Sequence, residues 1–307
     1  MTELTVFQQK LASALNHIEL RFNEPMHKHT SFRIGGGAEA MAFPKNREEL
    51  ALILKTSALL DVKPAILGAG TNVLAPDAGI PGLVVCLKDC LDGMELLENN
   101  RIRVMAGVTM TRAALFAANQ NLGGMEFAHG IPGTVGGGVY MNAGAYGGEL
   151  SQVVTRVDAI SLSDGKPVCF QGGELGFSYR HSAMMDADVI VTDVVMQLTP
   201  CDPDAIRARM DECARARREK QPLNFPSAGS TFKRPAGTFA AKLIDDCGLR
   251  GLRIGDAQVS EKHTGFVVNL GQATAHDILA LMDEIKSRVY EATGVTLDPE
   301  VRILGED

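Results

Sequence analysis

The sequence has no apolar run near the roughly 18 residues that a membrane-spanning helix needs, and its start, MTELTVFQQK, lacks the basic-then-apolar order of a secretory signal. It also has no excess of positive charge, because 37 acidic residues outnumber 30 basic ones and give a formal net charge of -7. The six cysteines include no C-x-x-C pair, so a disulfide framework or a structural zinc site is not expected. We therefore expect a soluble, cytoplasmic protein with reduced thiols, no membrane insertion and no affinity for nucleic acid.

The length of 307 residues predicts two domains, and 45% apolar with 22% charged residues is typical of a globular protein. Helical and extended patterns alternate along the chain, which predicts a mixed α/β fold, with a domain boundary at TPCDP, residues 199–203. Local signals predict helices and hairpins at several places: an opening helix over 3–19, a helix from Asn46, hairpins around 99–100 and 164–165, and helices ending near 220 and 294.

Glycine is over-represented, with 32 residues, and ten of them fall within residues 123–148. The segment GIPGTVGGGVYMNAGAYGGEL, residues 130–150, lets main-chain N–H groups approach a ligand that side chains would hold away. Consecutive N–H groups suit a diphosphate, and LGAGTN, residues 67–72, resembles a second such loop. Neither a complete G-x-G-x-x-G fingerprint nor a P-loop occurs, and tight turns with close packing and no ligand remain an alternative for both segments.

Seven segments together resemble the UDP-N-acetylenolpyruvoylglucosamine reductases: HTSFRIGG (29–36), LGAGTNVL (67–74), GIPGTVGGGVYMNAGAYG (130–147), FSYRHS (177–182), PSAGSTFKRP (226–235), GDAQVSEKHTGFVVN (255–269) and LDPEVRILG (297–305). The resemblance implies a vanillyl-alcohol-oxidase-type FAD-binding domain over 1–200, made of two α/β subdomains, roughly 1–82 and 83–200. A smaller α/β substrate-binding domain over 201–307 would follow, with its C-terminal segment returning to the active site. The short interval between FSYRHS and PSAGS resembles the shorter of the family's two forms.

The resemblance implies an NADPH-dependent flavoenzyme with noncovalent FAD. It would reduce the enolpyruvyl group of UDP-N-acetylglucosamine enolpyruvate to give UDP-N-acetylmuramate for peptidoglycan, with no obligate protein partner. By motif match, Arg180 is the cation beside the substrate carboxylate, Glu300 is its carboxyl partner, and Ser230 is the proton donor.

The resemblance also implies two sets of binding residues. The cofactor-binding set is Gly68, Gly70, Thr71, Asn72, Ile131, Pro132, Gly133, Thr134, Gly136, Gly137, Asn142, Ala143 and Gly144. The substrate-binding set is Tyr179, Lys220, Lys233 and His263. Arg234 stands where many family members have Asn, which leaves the contact made there open.

Without the motif context, each predicted catalytic residue has an ordinary alternative, such as a surface arginine, a turn hydroxyl or a solvated glutamate. His27 and His29 lack an evident third metal ligand, and His129 precedes the glycine segment without implying a covalent flavin link in this family. Two other functions fit the same scaffold: an FAD oxidase with another substrate, and a nucleotide-sugar-binding protein without catalysis. A Ser-His-Asp hydrolase is disfavoured because no G-x-S-x-G motif occurs.

Overall fold

A computed structural model describes residues 4–306 of the chain. Within these residues the helices are α1 Val6–Ala14, α2 Arg47–Leu59, α3 Met110–Asn119, α4 Val135–Tyr140, α5 Ala183–Asp186, α6 Pro203–Lys220, α7 Ala240–Asp246 and α8 Ala275–Thr293. The strands are β1 Glu19–Pro25, β2 Gly37–Phe43, β3 Ala65–Leu67, β4 Val73–Leu74, β5 Ile80–Cys86, β6 Met94–Leu97, β7 Arg101–Met105, β8 Leu122–Gly123, β9 Gly144–Ala145, β10 Gly148–Glu149, β11 Val154–Ser161, β12 Pro167–Gln171, β13 Val189–Gln197, β14 Thr199–Pro200, β15 Arg253–Ile254, β16 Ala257–Val259, β17 Val267–Asn269 and β18 Arg302–Ile303.

The long helices begin and end at the residues that their capping signals predict. Asn46 Oδ1 accepts a hydrogen bond from the N–H of Glu49 at 2.8 Å and starts α2. Thr274 forms a capping box at the start of α8, and Gly294 ends that helix with φ of 71°. The buried residues of α8 recur along its whole length, from Ala275 to Val289, so one face of the helix packs on the core.

Both predicted hairpins are confirmed. Strands β6 and β7 pair antiparallel around Asn99 and Asn100, which both adopt positive φ, as a tight two-residue turn requires. Strands β11 and β12 pair antiparallel around the turn that contains Gly165, which has φ of 69°. The predicted opening helix is shorter than expected: α1 covers Val6–Ala14 and β1 begins at Glu19, while residue 3 lies outside the described residues.

The first compact unit comprises residues up to 22, 40–69 and 82–217. Its centre is a five-stranded sheet with strand order β12-β11-β13-β7-β6, and every pairing in this sheet is antiparallel. One continuous apolar core includes residues of α3, α4 and β13. In the β1-β2-β5-β3 sheet, β3 and β5 pair in parallel.

The second compact unit comprises residues 23–39, 70–81 and those from 218 onward. Helix α8 lies against the antiparallel sheet β15-β16-β17, and the core of this unit is separate from that of the first. The last strand, β18, returns to pair in parallel with β4. The bounds of these units differ from the predicted division at residue 200, so the assignment of cofactor and substrate binding to residues 1–200 and 201–307 stays a prediction.

No helix within residues 4–306 is both long enough and apolar enough to cross a membrane.

Candidate active site

The part of LGAGTN that belongs to the first unit, residues 67–69, meets the glycine segment 130–150 there. A Cβ atom placed on Gly68 would lie 2.8 Å from Oγ1 of Thr134, so the two loops approach each other closely. Thr134 is 4% exposed, and its Oγ1 accepts a hydrogen bond from the N–H of Gly137 at 3.4 Å. These two segments therefore lie together, although 66 positions separate Gly68 from Thr134.

Main-chain donors are available at this meeting point. The N–H groups of Gly68, Ala69, Gly133 and Thr134 donate no hydrogen bond to any other residue in the described part of the chain. Gly133 has φ of 127°, a conformation that residues with a side chain rarely adopt. Closely spaced N–H donors without protein partners are what an anionic diphosphate requires, so these residues fit the diphosphate of a dinucleotide cofactor.

Other glycines of the predicted set have a packing role. A Cβ on Gly70 would overlap the carbonyl oxygen of His29, and one on Gly136 would lie 2.8 Å from the Cβ of Ala106. These positions need glycine because main chains or small side chains pass close by, whether or not a ligand binds. The packing alternative therefore accounts for part of the glycine pattern, and a direct cofactor contact at these positions stays a prediction.

The predicted cation, Arg180, lies at the tip of a tight turn in the first unit. Ser178 and His181 exchange main-chain hydrogen bonds of 3.1 and 3.2 Å, which leaves Tyr179 and Arg180 at the turn. Arg180 has φ of 55°, and non-glycine residues in this region are concentrated at functional sites. Its guanidinium lies 5.0 Å from the centre of the Tyr179 ring and donates a hydrogen bond of 3.3 Å to the carbonyl of Gly144.

Asn142 holds this turn in place. Its side chain is fully buried, and its Nδ2 donates to the carbonyl of Ser178 at 2.9 Å and to Glu149 Oε1 at 3.2 Å. Its Oδ1 accepts from the N–H of Ser151 at 2.9 Å. The side chain predicted to bind cofactor thus ties the glycine segment to the Arg180 turn, while its cofactor contact stays a prediction.

The main chains that carry Ser230 and Glu300 lie side by side in the second unit and are joined through Thr231, the residue after Ser230. The N–H of Glu300 donates to the Thr231 carbonyl at 2.9 Å, and the N–H of Thr231 donates to the carbonyl of Gly265 at 2.8 Å. The Oγ1 of Thr231, which is 1% exposed, accepts from the N–H of Val267 at 2.9 Å. One of these hydrogen bonds joins the main chain that carries Ser230 to that of Glu300, and the other two tie Thr231 to Gly265 and Val267.

Asn72 also forms hydrogen bonds with the main chain around Glu300. The Nδ2 of Asn72 donates to the Glu300 carbonyl at 3.1 Å, and the N–H of Arg302 donates to the carbonyl of Asn72 at 3.0 Å. The hydroxyl of Ser230 makes no hydrogen bond within residues 4–306, and Gly229 beside it leaves open space at its Cα. The half-buried Ser230 thus has a hydroxyl without a protein partner among the described residues, and its role as proton donor stays a prediction.

The predicted substrate-binding residues differ in what surrounds them. His263 is half-buried, its Nδ1 accepts from the N–H of Gly265 at 3.2 Å, and burial lowers its pKa, so the ring is neutral near neutral pH. Tyr179 is 47% exposed at the Arg180 turn, Lys220 is exposed at the end of α6, and Lys233 is half-buried beside Asp298. None of these four is tested as a ligand contact by the structure.

Arg234 replaces the asparagine of many family members, and the structure shows a contact for it. Its guanidinium lies 4.3 Å from the centre of the Phe239 ring, a cation–π geometry that an asparagine side chain cannot form.

The sequence motifs do not identify two residues near the candidate site, Thr231 and Arg217. Thr231 stands inside PSAGSTFKRP, but no local signal distinguishes its hydroxyl from that of any buried threonine. Arg217 lies on α6, and its side chain packs next to Gly130. The Nε of Arg217 is buried without a hydrogen-bond partner among the described residues. An unpaired buried donor is a feature that only coordinates reveal.

Comparison with known proteins decides the family. A model of the "UDP-N-acetylenolpyruvoylglucosamine reductase, C-terminal domain" matches residues 221–304, and a model of an "FAD binding domain" matches residues 38–170. The UDP-N-acetylenolpyruvoylglucosamine reductase of Clostridium novyi is 43% identical over 307 residues, covering 100% of this chain and 99% of that protein. The chain belongs to the UDP-N-acetylenolpyruvoylglucosamine reductase family.

Further relatives agree with this reductase assignment. The reductase of Clostridioides difficile is 44% identical over 297 residues, covering 97% of each chain. The crystal structure of the reductase from Thermus caldophilus superposes with a TM-score of 0.75 at 35% identity, covering 93% of this chain and 98% of that one.

The fold class and the cofactor follow from membership of the reductase family. The predicted α/β fold with a vanillyl-alcohol-oxidase-type FAD-binding domain and a smaller second domain is confirmed. The protein is an FAD-dependent oxidoreductase, and the main-chain donors at Gly68 and Thr134 fit the diphosphate of that cofactor. Which residues contact FAD or substrate stays a prediction.

Proposed function

We propose that the protein reduces UDP-N-acetylglucosamine enolpyruvate to UDP-N-acetylmuramate for peptidoglycan synthesis, with NADPH as the electron source, in the cytoplasm. The name of the relatives that match the chain over its full length supports the substrate. The observation that carries the proposal is the fixed pairing of the Ser230 and Glu300 main chains through Thr231, in a chain that belongs to this family.

The proposed cofactor site uses main-chain donors. The N–H groups of Gly68, Ala69, Gly133 and Thr134 would donate hydrogen bonds to the FAD diphosphate. When bound, FAD supplies the relay of hydride from NADPH to the enolpyruvyl double bond.

The proposed catalytic roles follow from charge. Addition of hydride to the methylene carbon leaves negative charge on the adjacent carbon and on the substrate carboxylate. Arg180 and Glu300 would stabilise that charge by hydrogen bonding, and Ser230 would deliver the proton that completes the reduction. The strained φ of Arg180 and the unengaged hydroxyl of Ser230 support these roles.

An anaerobic absorption spectrum of the purified protein tests the proposal in one sample. We expect a flavin spectrum that NADPH bleaches and that UDP-N-acetylglucosamine enolpyruvate then restores in stoichiometric amount. UDP-N-acetylglucosamine, which lacks the enolpyruvyl group, is the matched control and should leave the flavin reduced.

Two results would contradict the proposal. A flavin that oxygen reoxidises rapidly while the enolpyruvyl compound does not would indicate an oxidase. A flavin reduced by another donor, with no response to NADPH, would remove NADPH from the assignment.

A further inference from the structure

The side chain of Arg217 is a charged donor without a protein partner beside the glycine segment. Its Nε is buried and makes no hydrogen bond, and no acidic residue within residues 4–306 forms an ion pair with its guanidinium. Burial lowers its pKa, and the next largest influence is the phenol of Tyr146 rather than a carboxylate. A partly buried guanidinium without a counter-charge costs stability, so its presence needs another explanation.

Two residues of the glycine segment, Gly130 and Tyr146, are near Arg217. A Cβ on Gly130 would be 3.7 Å from its Cδ and 3.9 Å from its Nη1, so the arginine packs directly on the main chain there. Tyr146, at the other end, is near enough for its phenol pKa, which burial raises, to be lowered by the Arg217 charge. His129, the residue before Gly130, likewise has a buried Nδ1 without a partner.

The helix fixes this arrangement. Arg209, Cys213 and Arg217 are four residues apart on α6 and therefore lie on one face of it. Cys213 is 1% exposed, and Arg209 donates a hydrogen bond of 2.7 Å to the carbonyl of Tyr146. The same face of α6 that anchors the glycine segment thus presents the unpaired guanidinium.

We propose that Arg217 binds a negatively charged or electron-rich oxygen of FAD. Arginine presents several donors in a rigid fork and keeps its charge when buried, which suits an oxygen of the diphosphate or of the flavin ring. The inference rests on the proposed placement of FAD at the glycine segment. The main-chain donors carry no full charge, so Arg217 would supply the positive charge that they lack.

The test compares FAD binding by apoprotein of the parent and of three variants. Arg217→Gln removes the charge, Arg217→Lys keeps it without the fork, and Arg215→Gln changes an exposed arginine on the same helix as a control. We expect Arg217→Gln to weaken FAD binding about 10- to 100-fold, Arg217→Lys to weaken it less, and Arg215→Gln to leave it unchanged. Riboflavin, which lacks the diphosphate, separates the two sources: an equal loss for riboflavin indicates a ring oxygen, and no loss indicates the diphosphate.

The melting temperature of the apoprotein distinguishes ligand binding from a purely structural role. Loss of a structural contact would lower this temperature. Because the guanidinium has no partner without ligand, Arg217→Gln apoprotein should melt at the same temperature as the parent or higher. The inference would be overturned if the Arg217→Gln apoprotein melted at a lower temperature than the parent, or if its FAD affinity stayed within twofold of the parent. It would also be overturned if the variant lost only its reaction with NADPH. A parent apoprotein that binds no FAD at all would overturn the proposed function together with it.

Discussion

Replacing Thr231 tests whether the pairing of Ser230 with Glu300 depends on a buried hydroxyl. Thr231→Val keeps the shape of the side chain but removes the oxygen that accepts the N–H of Val267, and both residues are 1% exposed. Leaving that N–H unpaired costs about 1–3 kcal/mol. With roughly 2–4 °C per kcal/mol for a large domain, the melting temperature should fall by about 2–12 °C.

The same change should slow one half-reaction. The main-chain bonds of Thr231 to Gly265 and Glu300 remain possible, so the pairing is loosened rather than lost. Misplacing a catalytic group by about 1 Å can lower the reaction rate roughly 100-fold. A shift of a few tenths of an ångström should lower the rate less, by about 10-fold at most. Reoxidation of reduced flavin by the enolpyruvyl substrate should therefore slow about 10-fold in stopped-flow measurements, while reduction by NADPH is unaffected.

Thr231→Ser is the matched control. It keeps the acceptor and loses one methyl group, worth about 0.8 kcal/mol of burial, so it should retain the parent rate of the substrate half-reaction. If the serine variant were as slow as the valine variant, methyl packing and not the hydrogen bond would position Ser230. If the valine variant were as stable and as fast as the parent, the role assigned to Thr231 would be wrong.

Three further changes address the cofactor loop, the proton donor and pH. Ser230→Ala should leave reduction by NADPH intact and slow reoxidation by substrate by a factor on the order of 10² to 10⁴; parent-like turnover would remove Ser230 from the mechanism. Gly133→Ala should lower the FAD content of purified protein, whereas Gly165→Ala should not, because Gly165 also has positive φ but an added Cβ there would meet no atom within 4 Å; equal FAD content in both would separate Gly133 from the cofactor. Because the pKa of His263 is lowered in the folded state, the unfolded chain takes up this proton first, and stability should fall as pH drops below about 6.5. His263→Gln should flatten the melting temperature between pH 7 and 5.5, and an unchanged slope would contradict the link.

Local signals in the sequence were sufficient for most of the fold. The capping residues of α2 and α8 and the Asn99-Asn100 turn act over four residues or fewer, so their physics is visible in the sequence alone. Helix α4 was not predicted, because three of its six residues are glycines with low helix propensity. Burial of Val135 and Val139, together with the cap from Thr134, outweighs that cost in the folded chain.

The sequence predicts the candidate site less completely than the fold, because contacts between distant segments hold the site together. The motifs identified Ser230 and Glu300 but not what holds them, since Asn72 reaches the Glu300 carbonyl across 228 positions of sequence. Asn72 was predicted to bind cofactor, and the structure shows its amide engaged with Glu300. Pairings between distant segments depend on the whole fold, which no single motif encodes.

The glycines of these two segments show why one sequence signal can have two physical causes. Gly70 and Gly136 are glycines because neighbouring main chain or side chain occupies the place of a Cβ, and that need exists without a ligand. Gly133 differs, because its conformation excludes side chains while its N–H, like that of Thr134, has no partner among the described residues. Substitutions should therefore separate the two groups: Gly136→Ala should lower the melting temperature of apoprotein and holoprotein alike, whereas Gly133→Ala should mainly reduce the stabilisation that FAD adds. A glycine segment is evidence for a ligand only at those positions where the second pattern holds.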